Sequence, residues 1–276
     1  MNTYKDRTQL IEAAAKTMGV PVYHESAETK DIMPRQDLQK VCSKVVTLEE
    51  AIKKTGLKDG MTISFHHHFR GGDKVVNLVV GTLAKMGFKN LKLAASSLQD
   101  VHEPLIEHIK NGVITEISTS GMRGELAREI SHGLMEKPVI FRSHGGRGSA
   151  IVNGDLHIDV AFLGASSCDP LGNACGYSRS EKAKSICGSL GYALPDAHYA
   201  DKVVILTDDL VAYPNTPNSI SEHDVDYVVE VPSVGDSSKI ASGAIRDTKN
   251  PRDILLAKEA AKVIINSGYF KDGFSI

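Results

Sequence analysis

The segment His66–Asp73 concentrates the side chains of this sequence that are best suited to bind an anion. It contains three consecutive histidines, an arginine, a pair of glycines and an aspartate. Arg70 can hold a carboxylate through two parallel hydrogen bonds, and a glycine pair lets the backbone approach a ligand closely. Because a strand is expected before the segment and a helix after it, helix N–H groups would face the anion. The segment predicts a carboxylate or phosphate site made by His66, His67, Arg70, Gly71 and Gly72. A plain turn in which Asp73 caps the helix is the alternative.

The three adjacent histidines also suggest a metal ion. Successive side chains on a strand point to opposite faces, so at most two of the three could share one ion. The sequence offers no H-E-x-x-H motif to complete such a site. The cysteines lack the spacing of a zinc site, and we interpret them as structural thiols; they are Cys42, Cys168, Cys175 and Cys187. We therefore assign no metal ligands.

Two further turns add candidate binding residues. In Ser118–Gly124, Gly121 and Arg123 lie between an expected strand and an expected helix, although a turn with a solvated arginine fits as well. The turn Asp169–Asn173 follows a buried strand and adds Asn173. Taken alone, its D-P-x-G pattern indicates only a good turn.

The segment Ser143–Gly148 predicts a site for a developing negative charge. Its paired glycines, Gly145 and Gly146, expose N–H groups that could hold an oxyanion, and Arg147 adds positive charge. His144 is a possible acid–base residue, although a lone histidine is more often structural. The sequence contains no G-x-S-x-G elbow and no P-loop, which argues against a serine hydrolase and a nucleoside triphosphatase.

The composition is typical of an ordinary soluble globular protein. The chain has 276 residues, of which 41% are hydrophobic and 24% charged. Its 32 basic and 34 acidic side chains give a net charge of −2, which argues against generic nucleic-acid or anionic-membrane binding. The polar start predicts no signal peptide, and no apolar run approaches the roughly 18–20 residues of a membrane span. The small number of cysteines favours a cytoplasmic, reducing location.

The elements expected to hold these segments alternate between strands and helices. Thr47 and Glu50 form a capping box at the start of a helix that ends at Gly56. Strands are expected at Met61–Phe65, Leu91–Ala95, Val113–Ile117, Val139–Phe141, Asp159–Leu163, Val203–Thr207 and Tyr227–Val231. Further helices are expected at Thr8–Met18, from Asp73 to Gly87, at Pro104–Lys110 and Gly124–Met135, and from Asn250 to Gly268.

This alternation predicts one α/β domain, with an open, mainly parallel sheet and helices on both faces. In such sheets ligands bind at the carboxyl ends of the strands, where the candidate segments lie. We expect residues 1–45 to form an N-terminal arm or linker, with Tyr23–Gln39 lacking any period, and residues 46–276 to form the domain.

Several long runs resemble the alpha-chain family of citrate lyase. They are GMTISFHHHFRGGDKVVN (Gly60–Asn77), LAASSLQDVHEPLIEHIKNGV, TSGMRGELAREIS, SHGGR, NGDLHIDVAFLGASSCDPLGNACG and CGSLGYALPDAHYADKVVILTDD. The likeness extends from about Val41 to the end of the sequence, and Ser97 in the second run completes the candidate binding residues. The stretch from Asp159 to Asn173 is also similar to the wider coenzyme A transferase superfamily, which shares its fold with some sugar-phosphate isomerases.

The resemblance implies a citrate coenzyme A-transferase that exchanges acetyl for citryl on the thiol of an acyl carrier protein. It implies a ternary complex and a mixed anhydride, with no glutamyl-coenzyme A intermediate. The carrier, or gamma subunit, would supply a coenzyme A-like prosthetic group, so this chain would bind no cofactor of its own. The beta subunit would then cleave the citryl thioester, and the whole would form an oligomer.

Chains of the resembling family are about twice as long and have two similar halves, with the active site between them. The present sequence therefore looks like an N-terminal half that needs the C-terminal half as a partner. The alternatives are a non-catalytic module that binds citrate or the carrier, a sugar-phosphate isomerase with Asp73 as its base, and a metal hydrolase built on the histidines.

Overall fold

The computed structural model describes residues 5–19, 43–177, 186–240 and 248–271. The chain divides into two units, Met1–Cys42 and Ser43–Ile276. In the first unit the described residues form one helix, α1 (Lys5–Met18). The stretch Tyr23–Gln39, interpreted above as an arm, lies outside the described residues.

The second unit alternates strands and helices. Its helices are α2 (Leu48–Thr55), α3 (Val75–Lys85), α4 (Leu105–Lys110), α5 (Gly124–Ser131), α6 (His144–Val152), α7 (Leu194–Tyr199) and α8 (Pro251–Asn266). Its strands are β1 (Thr62–Phe65), β2 (Leu91–Ala95), β3 (Ile114–Thr119), β4 (Ile140–Phe141), β5 (Val160–Ala165), β6 (Ser167–Cys168), β7 (Ala174–Cys175), β8 (Lys202–Thr207) and β9 (Tyr227–Glu230).

Seven strands form one parallel sheet in the order β4-β3-β2-β1-β5-β8-β9, and β6 and β7 form a small antiparallel pair. The chain builds outward from β1 to β4 and then returns to β5 on the other side of β1. Right-handed crossovers in these two directions place α3, α4 and α5 on one face and α6 and α7 on the other. The predicted α/β fold with a mainly parallel sheet is confirmed.

The central strands are buried on both faces, as a covered parallel sheet requires. Every residue of β1 and β5 is buried, and the rings of Phe65 and Phe162 stack across the two strands with centroids 5.7 Å apart. At the edge, Ile140 and Phe141 of β4 are exposed. The core therefore lies at the middle of the sheet, and no strand of the described residues pairs with the outer edge of β4.

Local sequence signals account well for several helix ends. The predicted capping box at Thr47 is present, and Gly56 ends α2 in the left-handed conformation with φ of +72°. The side chain of Asn250 accepts a hydrogen bond from the N–H of Arg252 at the start of α8, also as predicted. None of the helices among the described residues is long and apolar enough to cross a membrane.

Three helices differ from the prediction: α5 is shorter than expected, and α6 and α7 were not predicted. Helix α5 ends at Ser131 rather than at Met135. Gly133 takes a φ of +93° just beyond that end, a conformation that closes helices and that glycine adopts without strain. Helix α7 (Leu194–Tyr199) was not predicted, because its six residues show no clear helical period and no Asn-Gly stop signal follows them, as one follows the equally short α4.

Candidate functional site

The strand register brings four loops to one edge of the sheet. Phe65 pairs with Ala95 on β2, Ala95 with Thr119 on β3, and Thr119 with Phe141 on β4. Because all these strands are parallel, the residues after each of them leave the sheet at the same carboxyl edge. The order of connection reverses between β1 and β5, and such a switch point opens a crevice in which α/β proteins bind ligands. The histidine run leaves β1 at this crevice.

The three histidines form a largely buried cluster of rings. His66 and His68 are only 8% and 7% exposed, and their ring centroids lie 3.9 Å apart. Both ring nitrogens of His66 and Nε2 of His68 are buried without a hydrogen-bond partner among the described residues. Buried polar atoms are nearly always hydrogen-bonded, because an unpaired one loses its solvation without compensation. This cluster is therefore suited to a polar ligand or to ordered water.

Burial also determines the charge of these rings. It lowers the pKa of His67 to about 4 and that of His68 to about 3, and it holds the pKa of His66 well below the usual value. Neighbouring histidines add a smaller repulsive effect in each case, His144 being the largest contributor at His67. At neutral pH the three rings are thus neutral groups, each able to donate one hydrogen bond and accept another.

Arg70 supplies the positive charge at this part of the site. Its side chain is exposed, and among the described residues its guanidinium has no hydrogen-bond partner. Its φ is +48°, a left-handed conformation that is uncommon for any residue except glycine. The loop holds it there through hydrogen bonds from its N–H to the His67 carbonyl oxygen (3.0 Å) and from the Asp73 N–H to its own carbonyl oxygen (3.2 Å). An exposed, unpaired arginine beside neutral histidines favours an anionic ligand.

The two glycines of this loop have different surroundings. Gly71 is exposed, and a Cβ added there would have no atom within 4 Å. Gly72 is buried, and a Cβ there would lie 2.3 Å from the backbone oxygen of Asp236. The predicted close backbone approach therefore exists at Gly72, but it is made to the segment around Asp236. It fixes the loop rather than opening it to a ligand.

His144 and Tyr192 border the histidine cluster on its other side. The Tyr192 hydroxyl donates to the backbone oxygen of His144 (2.6 Å), and the two rings stack at 5.2 Å. The ring of His144 meets His67 edge-on at 5.7 Å, and Tyr192 meets His66 edge-on at 5.0 Å. His144 is exposed, and its suggested acid–base role stays a prediction.

The predicted glycine loop after β4 is instead the first turn of helix α6. The hydroxyl of Ser143 caps the helix by accepting the N–H of Gly146 (3.0 Å). The Gly146 N–H is therefore already paired within the protein, and the oxyanion role suggested for Gly145 and Gly146 stays a prediction. The N–H of Gly145 belongs to the first helical turn and has no acceptor within the helix.

Arg147 is buried, and both terminal nitrogens of its guanidinium are bound by the protein, whereas its Nε has no hydrogen-bond partner among the described residues. Its guanidinium binds both carboxylate oxygens of Asp196 (2.6 and 2.8 Å) and the hydroxyl of Ser64 (2.9 Å). Ser64 also forms a short hydrogen bond with Asp196. The guanidinium thus links α6, α7 and β1, in contrast to the open anion clamp that the sequence suggests.

Ser97, Gly121 and Arg123 come from the neighbouring loops after β2 and β3. A bridge between Leu98 and Met122 joins these loops. The hydroxyl of Ser97 accepts a hydrogen bond from the Gln99 side chain (2.6 Å) and lies 3.7 Å from the Cβ position of Gly121. Arg123 is exposed at the start of α5. The structure thus brings Ser97 and Gly121 together at the same edge.

Asn173 belongs to a closed polar network. Its side-chain NH₂ donates to Asp169 and Glu222 (both 2.9 Å), and its oxygen accepts from Asn218 (2.6 Å) and from the Glu222 N–H (3.1 Å). Asp169 in turn accepts the N–H of Asn215 (2.9 Å). The Asn173 amide is therefore used within the protein, in contrast to the predicted ligand contact. Glu222 takes part in this network as well.

Four residues around the site escaped the sequence analysis. Ser96 contacts His67, Arg142 donates to the Ser118 hydroxyl (2.6 Å), and Tyr192 and Asp196 make the contacts described above. A signal existed for Ser96 and Arg142, since each directly follows a predicted strand. Tyr192 and Asp196 come from a region for which the sequence predicted no element.

The structure gives little support to a metal site at the three histidines or to a reactive cysteine. Among the described residues, the one group of three side chains placed to share an ion is His157, Asp159 and Asp201, which lies before β5 and β8 at the opposite edge of the sheet. Burial raises the pKa of Cys168 far above its usual value and that of Cys187 to about 11. These thiols stay protonated at neutral pH, which fits the structural role predicted for them.

A family comparison assigns the chain. Residues 39–276 match the family model of citrate lyase, alpha subunit (CitF). The chain belongs to this family. A citrate lyase alpha chain from Haemophilus influenzae is 55% identical over 261 residues, which cover 92% of this chain and 51% of that protein. The chain thus spans about half the length of that citrate lyase alpha chain.

Solved structures agree with the assignment. One described as an alpha subunit of citrate lyase from Streptococcus mutans, in complex with citrate, is 59% identical with a TM-score of 0.76 and covers 84% of this chain and 45% of that one. Glutaconate coenzyme A-transferase from Acidaminococcus fermentans is 14% identical with a TM-score of 0.50 and covers 69% of this chain and 76% of that one. The latter likeness concerns the fold alone.

Proposed function

We propose that this chain forms the citrate-binding half of a citrate coenzyme A-transferase. The observation that carries the proposal is the set of buried, unpartnered nitrogens of His66 and His68 beside the exposed Arg70. The solved relative at 59% identity, described as a complex with citrate, supports citrate as the ligand. A relation to transferases also follows from family membership.

The chemistry of citrate suits this set of groups. A tricarboxylate needs several hydrogen-bond donors, and donors held in a partly buried site bind an anion more strongly than water does. Neutral histidine N–H groups supply donors without the repulsion of several neighbouring cations. Arg70 adds a bidentate clamp, and the Ser97 hydroxyl and Arg123 are further candidate contacts. We infer that one citrate carboxylate stays free to react.

The reaction needs no nucleophilic side chain. A citrate carboxylate oxygen attacks the acetyl thioester carbonyl, the C–S bond breaks, and a mixed anhydride and a thiolate form. The thiolate then attacks the citryl carbonyl, which releases acetate and leaves the citryl thioester. The protein's part is to hold the reactants together and to stabilise negative charge on the carbonyl oxygen, for which one donor is typically worth about 3 kcal/mol.

The proposed partners follow from the same reaction. An acyl carrier protein, the gamma subunit, would present the thioester on a coenzyme A-like prosthetic group, and a beta subunit would cleave the product. The sequence that follows in the longer relatives would complete the site. A cytoplasmic location is part of this proposal, and cell fractionation would test it.

A sugar-phosphate isomerase is less consistent with the site. That reaction needs an accessible carboxylate base, and Asp73 is only 1% exposed. Its carboxylate accepts the Val76 N–H (3.1 Å) and pairs with Nε2 of His102 (3.1 Å). Asp73 is therefore a helix-capping group inside the protein, which fits the plain-turn interpretation of that residue.

Calorimetric titration of the 276-residue chain with citrate tests whether this chain binds citrate, as proposed. We expect saturable 1:1 binding that Arg70→Ala weakens about tenfold or more, because a charged hydrogen-bonding partner is lost. Arg128→Ala is the matched control, since Arg128 is an exposed arginine that pairs with Glu125 and Glu129 on α5. Acetate serves as the control anion. Unsaturable heats with citrate, or equal binding by the Arg70 variant, would contradict the proposal.

A further inference from the structure

We propose that Ser96 is a positioning residue that fixes His67 as the tautomer with its proton on Nε2. His67 would then present a hydrogen-bond donor to the ligand, and its other ring nitrogen would be occupied by the protein. The assignment of the tautomer rests on the contacts of Ser96 alone. Its consequence for citrate rests on the function proposed above.

Two contacts link Ser96 to His67. The Ser96 hydroxyl oxygen accepts the backbone N–H of His67 (2.9 Å) and also forms a short hydrogen bond with Nδ1 of the His67 ring. Both contacts follow from the register, because Phe65 and Ala95 are paired and the next residues leave the sheet side by side. The Ser96 N–H completes the link by donating to the Phe65 carbonyl oxygen (3.1 Å).

Counting hydrogens decides the direction of the second contact. A serine hydroxyl has one hydrogen to donate and two lone pairs to accept with, and the His67 N–H occupies one lone pair. Ser96 is 0% exposed, so water does not compete for its hydrogen. Among the described residues, Nδ1 of His67 is the one acceptor in contact with this hydroxyl. The hydroxyl therefore donates to Nδ1, since the reverse direction would leave a buried O–H without an acceptor.

An Nδ1 that accepts leaves the ring proton on Nε2 in a neutral imidazole. Burial and the nearby His144 and Arg70 charges oppose a second proton on the ring. His67 then donates through Nε2 alone, and its half-buried ring meets the ring of His144 edge-on. This geometry fits a group that binds a carboxylate oxygen or a thioester carbonyl oxygen at neutral pH. It does not fit a general base acting through Nδ1.

Two-bond ¹H–¹⁵N spectra of the ¹⁵N-labelled 276-residue chain without ligand test the assignment, because protonated and unprotonated ring nitrogens give well-separated shifts. His67→Gln identifies the His67 signals by their loss. We expect one tautomer, protonated on Nε2, in the wild-type chain. Ser96→Ala should add a population protonated on Nδ1, and Ser96→Cys, a weaker donor, should give an intermediate result.

Ser166→Ala is the matched control. Ser166 is also 0% exposed and directly follows a strand, but its hydroxyl contacts Cys187 instead of a site histidine. We expect this variant to keep the wild-type His67 tautomer. Wild-type His67 protonated on Nδ1 would overturn the proposal even if Ser96→Ala failed to fold. An unchanged tautomer in folded Ser96→Ala would overturn it as well.

Citrate titration separates this inference from the proposed function. Ser96→Ala should weaken citrate binding about threefold to tenfold, the usual range for one hydrogen bond that is no longer well oriented. A wild-type chain with the Nε2 tautomer that binds no citrate would contradict the proposed function and leave the role of Ser96 intact. Unchanged citrate affinity in a Ser96→Ala chain with mixed tautomers would show that His67 does not donate to citrate.

Discussion

Burial governs what the three site histidines can do as individual residues. His66, His67 and His68 have lowered pKa values because the folded chain removes them from water and places them beside one another. The folded state thus keeps the three rings neutral and leaves nitrogens of His66 and His68 without a hydrogen-bond partner among the described residues, which is costly without a ligand. Such an arrangement is typical of a site whose polar groups are oriented before the ligand arrives.

The same lowered pKa values predict how stability depends on pH. In the unfolded chain these histidines become protonated as the pH falls below about 6.5. In the folded chain His67 and His68 stay neutral until the pH approaches their pKa values of about 4 and about 3. The free energy of unfolding should therefore decrease as the pH falls from about 6.5 toward 3. Each such histidine contributes up to about 1.4 kcal/mol per pH unit. Urea unfolding at several pH values between 7.5 and 4.5 measures this slope.

His68→Gln should make that slope shallower, whatever it does to stability at neutral pH. His132→Gln, which alters an exposed histidine after α5, is the control and should leave the slope as in the wild-type chain. Equal slopes for His68→Gln and the wild-type chain would mean that His68 is not held neutral by the fold.

The sequence predicted the residue types at the site better than their contacts. His66, His67 and Arg70 stand out because their chemistry is visible in one segment. Ser96 does not, because a serine shows its role only when the strand register places it beside His67. Arg147 was predicted to bind a ligand because its positive charge is visible in the sequence. In the structure it is paired with Asp196, which lies on a helix that the sequence did not predict.

At the scale of elements, the loop between β1 and α3 is held by the segment around Asp236. The Gly72 carbonyl oxygen accepts the Asp236 N–H (2.9 Å), and the Lys74 N–H donates to the Val234 carbonyl oxygen (3.2 Å). A bridge between Asp73 and Gly235 lies between these contacts. These contacts hold the site loop against the segment that follows β9. Strand β9 is the edge strand of the sheet opposite to β4.

A methyl group at Gly72 should disturb this connection. Gly72→Ala places a Cβ 2.3 Å from a backbone oxygen, which must move. We expect a loss of about 1–3 kcal/mol in the free energy of unfolding, the usual cost of overpacking. Gly71→Ala is the neighbouring control, since its Cβ would meet no atom within 4 Å. Chemical denaturation of both variants measures the difference, and equal stabilities would contradict this account of the loop.

The alternation of strands and helices was predictable because apolar runs, helix-capping residues and glycine turns indicate the same element boundaries along most of the chain. Helix α6 was not predictable, because its first turn contains His144-Gly-Gly and glycine is a poor helix former. Tertiary contacts compensate for the low helix propensity of this segment. The Ser143 side chain caps the start of α6, and the buried Arg147 links α6 to α7 and β1.

At the scale of the whole molecule, helix α8 has an apolar surface that the rest of the described chain leaves uncovered. No residue of α8 is buried, and Leu256, Val263 and Ile265 are 59–71% exposed. Ile254, Ala257, Ala261 and Ile264 recur at helical spacing, which is typical of a face that packs against another element. The relatives that match this chain are about twice as long. We therefore propose that the sequence following in those relatives packs on α8 and completes the site.

The most direct test of the central claim is mass-spectrometric detection of citryl-coenzyme A from citrate and acetyl-coenzyme A. Free coenzyme A stands in for the carrier's prosthetic group in this assay. We predict citryl-coenzyme A when the 276-residue chain is combined with the C-terminal part of a citrate lyase alpha chain, and none with either part alone. Ile264→Glu on α8 should reduce the product by preventing association, whereas Lys262→Ala, on the other side of the helix, should not. Absence of product from a mixture that binds citrate would contradict the transferase proposal, and product from this chain alone would contradict the claim that it holds half of the site.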